Sequence, residues 1–224
     1  MIFNKKGIAF PNYQNKLAKI FLNANNHDRQ QWEFCFSKIK NFRTCLDFGG
    51  HVGITARLFS THFSNVVSFE PIPELFECLK YNTKDLDNIK IHNVAISDVN
   101  DFTDIFVNPE NSGSNVIESV ETDKLIDTRW RNKKRQNFVH MKPITVETKT
   151  IDSFNFTDVD FIKIDTEGFN IKPLMGMSNT LKINSPVIIM EKGQTENLGN
   201  KFLTNIGYKL IRTIGIDEIY VREQ

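Results

Sequence analysis

Residues 44–53 read TCLDFGGHVG, and this stretch decides the fold of the chain. Residues 44–48 have the character of a buried strand, and a helical pattern begins at Ile54. We therefore predict a tight strand-to-helix turn over residues 47–53. Turns of this kind often approach a ligand, which leaves three alternatives: a dinucleotide, a nucleoside-like sulfonium cofactor, or a turn without a ligand.

Strands alternate with helices along most of the chain. Strands are predicted at 44–48, 65–70, 89–94, 159–165 and 186–191, and helices at 53–62, 73–84, near 170–182 and near 195–206. This alternation indicates right-handed βαβ units and a Rossmann-like, mostly parallel α/β sheet with helices on both faces. Two short apolar runs around Gly215, YKLIRT and IDEIYVRE, predict an antiparallel hairpin at the C-terminal end.

Two segments depart from this alternation. Apolar residues recur at helical spacing from residue 12 to 40, so residues 1–40 are predicted to be a helical extension before one main domain, 41–224. Between about residues 97 and 158, the runs DFTDIFVNP and KPITVETKTI predict two exposed antiparallel strands around a polar, basic middle. We interpret this insertion as a lid.

Composition excludes several classes of protein. The formal net charge is +1, so no global field would recruit nucleic acid or an anionic membrane. The cysteines, Cys35, Cys45 and Cys78, lack CxxC spacing and indicate buried reduced thiols rather than disulfides or a zinc site. The N-terminus has no signal-peptide pattern and no apolar run reaches about 18 residues, so we expect a cytoplasmic protein without a membrane span.

An acidic residue in the turn points to the kind of ligand. A dinucleotide-binding turn needs G-x-G-x-x-G, and Asp47 stands where that pattern requires its first glycine. A carboxylate there repels pyrophosphate but attracts the ammonium and sulfonium groups of S-adenosylmethionine (SAM). We therefore predict that SAM binds beside Asp47 and that N–H groups of residues 49–53 hold its carboxylate, with Gly49, Gly50 and Gly53 allowing the close approach.

The ends of the next two strands supply the other predicted cofactor contacts. Glu70 ends the second strand and can accept hydrogen bonds from both ribose hydroxyls. Pro71 stops that strand, and Ile72 offers an apolar face for adenine. Asn93 and Ala95, near the end of the third strand, are predicted to border the adenine edge.

Charged residues gather at the end of a later strand, in FIKIDTEGFN. Lys163, Asp165 and Glu167 alternate there, so they are predicted to project together at the carboxyl edge, where open α/β sheets bind ligands. Glu191 ends the neighbouring strand and is predicted to lie at the same edge. Such charges are costly unless paired or used. Either they take part in chemistry, or Lys163 forms a salt bridge that only orders the strand ends.

In this order the motifs are similar to those of a known family. The chain resembles the FkbM-type SAM-dependent methyltransferases from about residue 44 to 210. The resemblance rests on DFGGHVG, FEP (69–71), NVAISD (93–98), TVETKTIDSF (145–154), IKIDTEG (162–168) and the IIME strand end. It implies a seven-stranded class I methyltransferase sheet and O-methylation of a hydroxyl on a sugar, a polyketide or a similar metabolite. The chain departs from the family pattern at Gly50-His51, where Ala-Asn is usual, and at Asn170, where an acidic residue is common.

The predicted reaction needs a base, because a neutral hydroxyl is a poor nucleophile that must be aligned and deprotonated. We predict Asp165 as the base or aligning group. Glu191 is the second choice, and Glu167 would orient either one. Lys163 would keep the carboxylates ionised or stabilise the emerging alkoxide.

Other arrangements remain open. The three carboxylates could instead hold Mg²⁺, which would lower the pKa of the hydroxyl. His51, His92 and His140 are alternative bases, although a single histidine is more often a structural residue.

The insertion contains a basic segment that bears on the kind of acceptor. RWRNKKRQN, residues 129–137, gathers five basic residues around Trp130. A solvated charged loop is the simplest interpretation, and the functional one is a lid that attracts an acidic or phosphorylated sugar. SGSN, residues 112–115, would then hinge the lid or line the acceptor pocket.

Other classes of function compete with a methyltransferase. A nicotinamide-dependent oxidoreductase would share the fold and Glu70, but Asp47 argues against it. A catalytically silent binding protein would lose the strand-end charges, which are present here. A nucleic-acid methyltransferase is disfavoured because the fourth strand lacks a D/N-P-P-Y/F segment. We therefore expect a small-molecule or glycan acceptor, and the sequence predicts no oligomeric state.

Overall fold

The computed structural model describes residues 1–12, 29–107, 116–118, 143–166, 171–192 and 198–222. The strands in these ranges are β1 (Ile2–Phe3), β2 (Ala9–Phe10), β3 (Thr44–Phe48), β4 (Asn65–Phe69), β5 (Ile89–His92), β6 (Ala95–Ile96), β7 (Asp101–Phe106), β8 (Val116–Glu118), β9 (Pro143–Lys149), β10 (Val159–Ile164), β11 (Val187–Glu191), β12 (Tyr208–Ile214) and β13 (Asp217–Arg222). The helices are α1 (Arg29–Phe36), α2 (Ile54–Ser60), α3 (Pro73–Thr83), α4 (Ile171–Met175), α5 (Ser178–Asn184) and α6 (Leu198–Asn205), with a 3₁₀ helix at Ile151–Phe154.

A seven-stranded sheet organises the described part of the chain, in the order β12-β13-β11-β10-β3-β4-β5. The five strands from β11 to β5 run parallel, and β13 pairs antiparallel with both β11 and β12. The predicted fold class and C-terminal hairpin are therefore confirmed. The single helix expected near 170–182 is divided into α4 and α5 at Gly176, where an added Cβ would lie 1.9 Å from the Ser97 carbonyl oxygen.

Both faces of the sheet are covered, as a parallel sheet requires. On β3, Leu46 and Phe48 belong to a buried cluster with residues of α4, α5 and α6, whereas Cys45 belongs to a cluster with residues of α1, α2 and α3. Side chains alternate along a strand, so Asp47 shares the second face with Cys45. That face also contains Phe161 and Phe59, whose rings lie 5.5 Å apart.

The insertion forms a second sheet within the described residues, in the order β6-β9-β7-β8. The predicted antiparallel pair is confirmed, with Asp101 opposite Thr148 and Phe106 opposite Pro143. The β6 strand pairs parallel with β9, which anchors the insertion beside Ala95. The segments 112–115 and 129–137 lie outside the described residues, so the lid interpretation stays a prediction.

The N-terminal segment differs in part from the expected helical extension. Residues 1–12 contain the antiparallel pair β1–β2 rather than helix. Trp32 and Phe36 lie on α1, while the helix predicted before it falls outside the described residues. The division at residue 40 stays a prediction. None of the described helices combines the length and apolar character needed to span a bilayer.

Candidate functional site

A cleft of about 780 Å³ opens at the carboxyl edge of the central strands. Such a volume is typical of sites for small molecules and cofactors. The predicted site residues that line it are Gly49, Gly50, Glu70, Pro71, Ile72, Ala95, Lys163, Asp165 and Glu191. Asp47, Gly53 and Asn93 are not among its lining residues, and Glu167 lies outside the described residues. Most of the predicted cofactor-binding residues and three of the predicted catalytic residues thus line the same cleft.

The glycines of the turn are required by close packing. Gly49 has a φ of 76°, and an added Cβ would lie 2.0 Å from the Asp165 backbone oxygen. An added Cβ on Gly50 would lie 2.1 Å from Ser68 Oγ. At Gly49 the clash is with the backbone, so the turn fits against the end of β10 only without a side chain there. At Gly50 the nearest atom is a side-chain hydroxyl, which would have to move to admit a Cβ.

Four of the N–H groups predicted to hold the carboxylate of SAM have partners within the protein. The N–H groups of Gly49 and Gly50 both donate to the Phe69 carbonyl oxygen at 3.0 Å. The His51 N–H donates to Glu70 Oε2 at 2.8 Å, and the Gly53 N–H donates to Gly50 at 2.8 Å. Three of these N–H groups hold the turn to the end of β4, and the Gly53 N–H closes the turn on itself. The predicted contact with the carboxylate of SAM stays a prediction.

Asp47 was expected to face the ligand, but it does not line the cleft. Its side chain is fully buried on the face of the sheet that packs against α1, α2 and α3. Ser68 on β4 lies directly opposite and donates its hydroxyl to Asp47 Oδ2 at 2.9 Å. Lys163 on β10 lies opposite on the other side, with Nζ 3.2 Å from Oδ1. The charge of Asp47 is therefore balanced beneath the cleft.

Lys163 joins the turn to the end of β10. Its buried ammonium donates to the Phe48 and Gly49 carbonyl oxygens at 3.3 and 3.1 Å. It also lies 3.4 Å from Asp165 Oδ2. Burial lowers the pKa of Lys163, but the attraction of Asp47 and Asp165 outweighs burial, so the pKa lies above its usual range. Lys163 thus stays charged and fixes the Asp165 carboxylate.

Glu70 lies at the cleft with 4% of its surface exposed. Its two carboxylate oxygens accept from the His51 and Ile72 N–H groups, at 2.8 and 2.9 Å. Burial raises the pKa of Glu70 to about 7, although the two backbone donors oppose this rise. The carboxyl group is thereby held in place at the end of β4, where it faces the cleft.

Two polar residues beside Glu70 shape the loop. His51 has a φ of 50°, a left-handed conformation that His and Asn tolerate better than most residues, which explains why His can replace the usual Asn. Burial lowers the pKa of His51 to about 4. Asn93 donates to the carbonyl oxygens of Glu70 and Pro71 at 2.8 and 3.0 Å. Asn93 therefore supports the loop after β4, and its predicted position at the adenine edge stays a prediction.

Asp165 and Glu191 present carboxylates at the ends of adjacent strands. The Asp165 side chain is 51% exposed, and its backbone N–H donates to the Phe48 carbonyl oxygen at 3.2 Å. Glu191 is half-buried and lies directly opposite Asp217 of β13. The described residues contain no group of three or more potential metal ligands. Because Glu167 is outside them, the Mg²⁺ alternative is not tested.

The far wall of the cleft comes from residues that sequence reasoning missed. Gln31 and Trp32 of α1 and residues 214–217 at the hairpin tip all line it. One signal was available: a strand antiparallel to β11 must begin where β11 ends, so the hairpin tip has to lie beside Glu191. No comparable signal locates α1.

Comparison with known proteins identifies the family. A family model described as the methyltransferase FkbM domain matches residues 47–211. The chain belongs to this family. Membership makes SAM the cofactor of this FkbM domain and decides against the nicotinamide-dependent alternative.

Of two similar solved structures, the first agrees with this assignment at the level of fold. Methyltransferase FkbM from Methylobacillus flagellatus KT matches with a TM-score of 0.52 and 15% identity, over 83% of this chain. The chain spans only 45% of the length of that protein. Magnesium protoporphyrin IX methyltransferase from Synechocystis PCC 6803, solved with bound SAM, has a TM-score of 0.49 and 8% identity, over 93% of this chain and 85% of that chain. No curated protein matches significantly.

Proposed function

We propose that this FkbM domain transfers the methyl group of SAM to a hydroxyl of a sugar, a glycan precursor or a related small metabolite, with Asp165 as the base. The observation that carries the proposal is the position of Asp165. Its carboxylate is half-exposed in the cleft, beside the glycine turn and the end of β11, and is held by Lys163. A general base needs this combination of access to the substrate and fixed orientation.

The residues of the cleft fit the cofactor. Ile72 and Ala95 provide apolar surface for adenine, and Glu70 provides carboxylate oxygens for the ribose hydroxyls. Asp165 and Glu191 add negative charge, which suits a ligand carrying ammonium and sulfonium groups. Four N–H groups of the turn already have partners within the protein, which favours other groups as donors to the carboxylate of the cofactor.

The reaction places one proton on the protein. When bound, SAM supplies a methyl group on a sulfonium sulfur. Transfer of that methyl group from sulfur to the acceptor oxygen would release the hydroxyl proton, which the Asp165 carboxylate is placed to accept. Lys163 keeps Asp165 in position, and its engaged ammonium makes it a positioning residue rather than a donor to the alkoxide. Glu191 remains the second candidate base.

Methyl transfer from labelled SAM to a panel of sugars, nucleotide sugars and glycolipids tests this proposal. We expect Asp165→Asn to lower kcat by about 10²–10⁴-fold. The Kd for SAM should rise by no more than about fivefold, because the lost charge is half-exposed. Glu191→Gln is the matched control, because it neutralises the neighbouring carboxylate in the same cleft. Undiminished transfer by Asp165→Asn would remove Asp165 from the role of base. SAM binding without transfer to any acceptor would favour the catalytically silent protein.

Several finer points stay predictions of this proposal. They are the exclusion of nucleic-acid acceptors, the cytoplasmic location, and an acidic or phosphorylated acceptor attracted by residues 129–135.

A further inference from the structure

Three apolar residues line the cleft from segments outside the family-matched residues. Trp32 of α1 precedes the match at residues 47–211, and Ile214 and Ile216, at the hairpin tip, follow it. We call Trp32, Ile214 and Ile216 the apolar wall. The apolar wall is therefore a feature that this chain adds to the shared methyltransferase domain.

The hairpin tip and the predicted cofactor residues lie on opposite sides of Asp165. Asp165 follows β10, and Glu70 follows β4, which is two strands away in the sheet. In the other direction, Glu191 of β11 is paired with Asp217, the first residue of β13. With neighbouring strands about 4.8 Å apart, the hairpin tip begins about 10 Å from Asp165. This distance exceeds the width of one sugar ring, so a ring with its hydroxyl at Asp165 would reach the hairpin tip only through a substituent.

Contacts within the protein fix the hairpin tip. The Lys192 N–H donates to the Ile216 carbonyl oxygen at 2.7 Å, which ties the tip to the end of β11. Gln31 of α1 donates to Asp217 Oδ2 at 3.1 Å, which ties the tip to the helix that carries Trp32. The apolar wall is thus in place before an acceptor arrives, and this preorganisation lowers the entropy cost of binding.

The apolar wall becomes more exposed from Trp32 to Ile216. Trp32 is 8% exposed and packs edge-on against Phe59, with ring centres 5.2 Å apart. Ile214 is partly buried in the same apolar cluster, and Ile216 is 63% exposed. An added Cβ on Gly215, between the two isoleucines, would have no atom within 4 Å, so the turn borders open space. A single exposed isoleucine is common on protein surfaces, but one that continues the apolar lining of a cleft is available to a ligand.

We propose that the apolar wall binds an apolar substituent of the methyl acceptor. The inference rests on the proposed function and narrows the acceptor to a sugar or similar hydroxyl compound that carries an aryl or alkyl group. The hydroxyl lies at Asp165, and the substituent covers Ile214 and Ile216. Removing this surface from water favours acceptors with the substituent over acceptors without it. The carboxylates of Glu191 and Asp217, which interact within the protein, have no role in this selection.

Two series of matched glycosides test this inference. Phenyl β-D-glucoside carries an apolar substituent, methyl β-D-glucoside carries almost none, and cellobiose carries a polar one of similar size. Phenyl β-D-galactoside, methyl β-D-galactoside and lactose form the second series. Each compound is titrated by calorimetry into the protein saturated with S-adenosylhomocysteine. In at least one series we expect the phenyl glycoside to bind about tenfold more tightly than the other two compounds.

A substitution at the mouth of the cleft tests the role of the apolar wall directly. Ile216→Ser removes its most exposed side chain, so the preference for the phenyl glycoside should fall to about threefold. Ile183→Ser is the matched control, since Ile183 of α5 is 68% exposed and is not among the residues that line the cleft. The control should leave the preference unchanged. Both variants should keep the Kd for S-adenosylhomocysteine, because neither residue lies on the cofactor side of Asp165.

Undetectable binding of both phenyl glycosides, or affinities no higher than those of the methyl glycosides, would overturn the inference. Equal affinities for the phenyl glycosides and the disaccharides would also overturn it, because size rather than apolar character would then be recognised. So would an unchanged preference in Ile216→Ser.

Transfer of label from SAM to the same compounds separates this inference from the proposed function. Transfer to the disaccharides in preference to the phenyl glycosides supports the proposed function and contradicts the inference. Preferred binding of the phenyl glycosides without transfer to any compound does the reverse.

Discussion

Lys163 and Asp47 lie directly opposite each other on β10 and β3, with Lys163 Nζ 3.2 Å from Asp47 Oδ1. Ser68 continues the same row on β4 and donates to the other oxygen of Asp47. This row crosses three strands directly beneath the glycine turn. A buried ion pair of this kind fixes the positions of its two side chains but adds little to the net free energy of unfolding, because desolvation offsets most of the attraction between the charges.

Removing one member of the pair should therefore be far worse than removing both. Lys163→Met leaves the Asp47 carboxylate buried without its cation, and we expect the free energy of unfolding to fall by about 3–5 kcal/mol. The double variant Asp47→Asn/Lys163→Met should recover most of that loss. Urea denaturation followed by circular dichroism measures both. If the single and double variants lost the same amount, the coupling between the two side chains would be disproved.

The turn makes a second prediction about stability. Gly49→Ala combines a left-handed backbone with a Cβ 2.0 Å from the Asp165 carbonyl oxygen, so we expect a loss of about 3 kcal/mol and weaker SAM binding. Gly7 is the matched control, because its φ of 75° is nearly the same but no atom lies within 4 Å of an added Cβ. Gly7→Ala should cost about 1–2 kcal/mol and leave the Kd for SAM unchanged. Equal effects of the two substitutions would show that close packing at Gly49 is unimportant.

The elements of the fold were predictable because local patterns determine them. Buried parallel strands such as Thr44–Phe48 and Val187–Glu191 are short apolar runs bounded by turn or charged residues, and the predicted ends differ from the observed ones by at most two residues. The strand pair in residues 1–12 was missed because two strands of two residues each carry no periodic signal.

The chemistry of the site was less predictable, since it depends on which residues meet across strands. Alternation showed that Lys163 and Asp165 share a side of β10, but not that Lys163 lies opposite Asp47, because sequence does not specify register. Similarly, the N–H groups of Gly49 and Gly50 donate to the Phe69 carbonyl oxygen, and the sequence alone does not show where that oxygen lies. Charged residues at strand ends therefore indicated where the candidate site lies, but they did not indicate the direction in which each side chain points.

Asn82 of α3 couples the N-terminal strands to the turn. Its buried amide donates to the Ala9 and Val52 carbonyl oxygens at 2.9 and 2.7 Å and accepts from the Ala9 N–H at 2.8 Å. Asn82→Ala leaves these buried groups unpaired, so we expect a loss of about 2–3 kcal/mol and weaker binding of SAM. Denaturation and calorimetric titration measure the two effects.

Asn88 provides the control for this prediction. Its side chain donates to the Ser60 and Phe63 carbonyl oxygens, away from the cleft. Asn88→Ala should lower stability but leave the Kd for SAM unchanged. Unaltered SAM binding in Asn82→Ala would mean that the N-terminal strands do not position the turn.

The titration of Glu70 and His51 should give opposite contributions to stability. Burial raises the pKa of Glu70 from 4.5 to about 7, so between these values the folded protein binds more protons than the unfolded chain. Its contribution to the free energy of unfolding therefore falls as pH rises. Burial lowers the pKa of His51 from 6.5 to about 4, so the unfolded chain binds more protons in that interval. The contribution of His51 consequently rises with pH.

Single substitutions should separate these two contributions, which oppose each other between about pH 4.5 and 6.5. Glu70→Gln removes the falling contribution, so its free energy of unfolding should rise relative to that of the wild type as pH increases to about 7. His51→Asn keeps a residue that tolerates the left-handed backbone and removes the rising contribution, so its difference from the wild type should have the opposite slope. Urea denaturation of the three proteins from about pH 4 to 8 measures these slopes. Parallel pH profiles for the wild type and Glu70→Gln would contradict the raised pKa of Glu70, and with it the view that this carboxylate gains its full charge only near neutral pH.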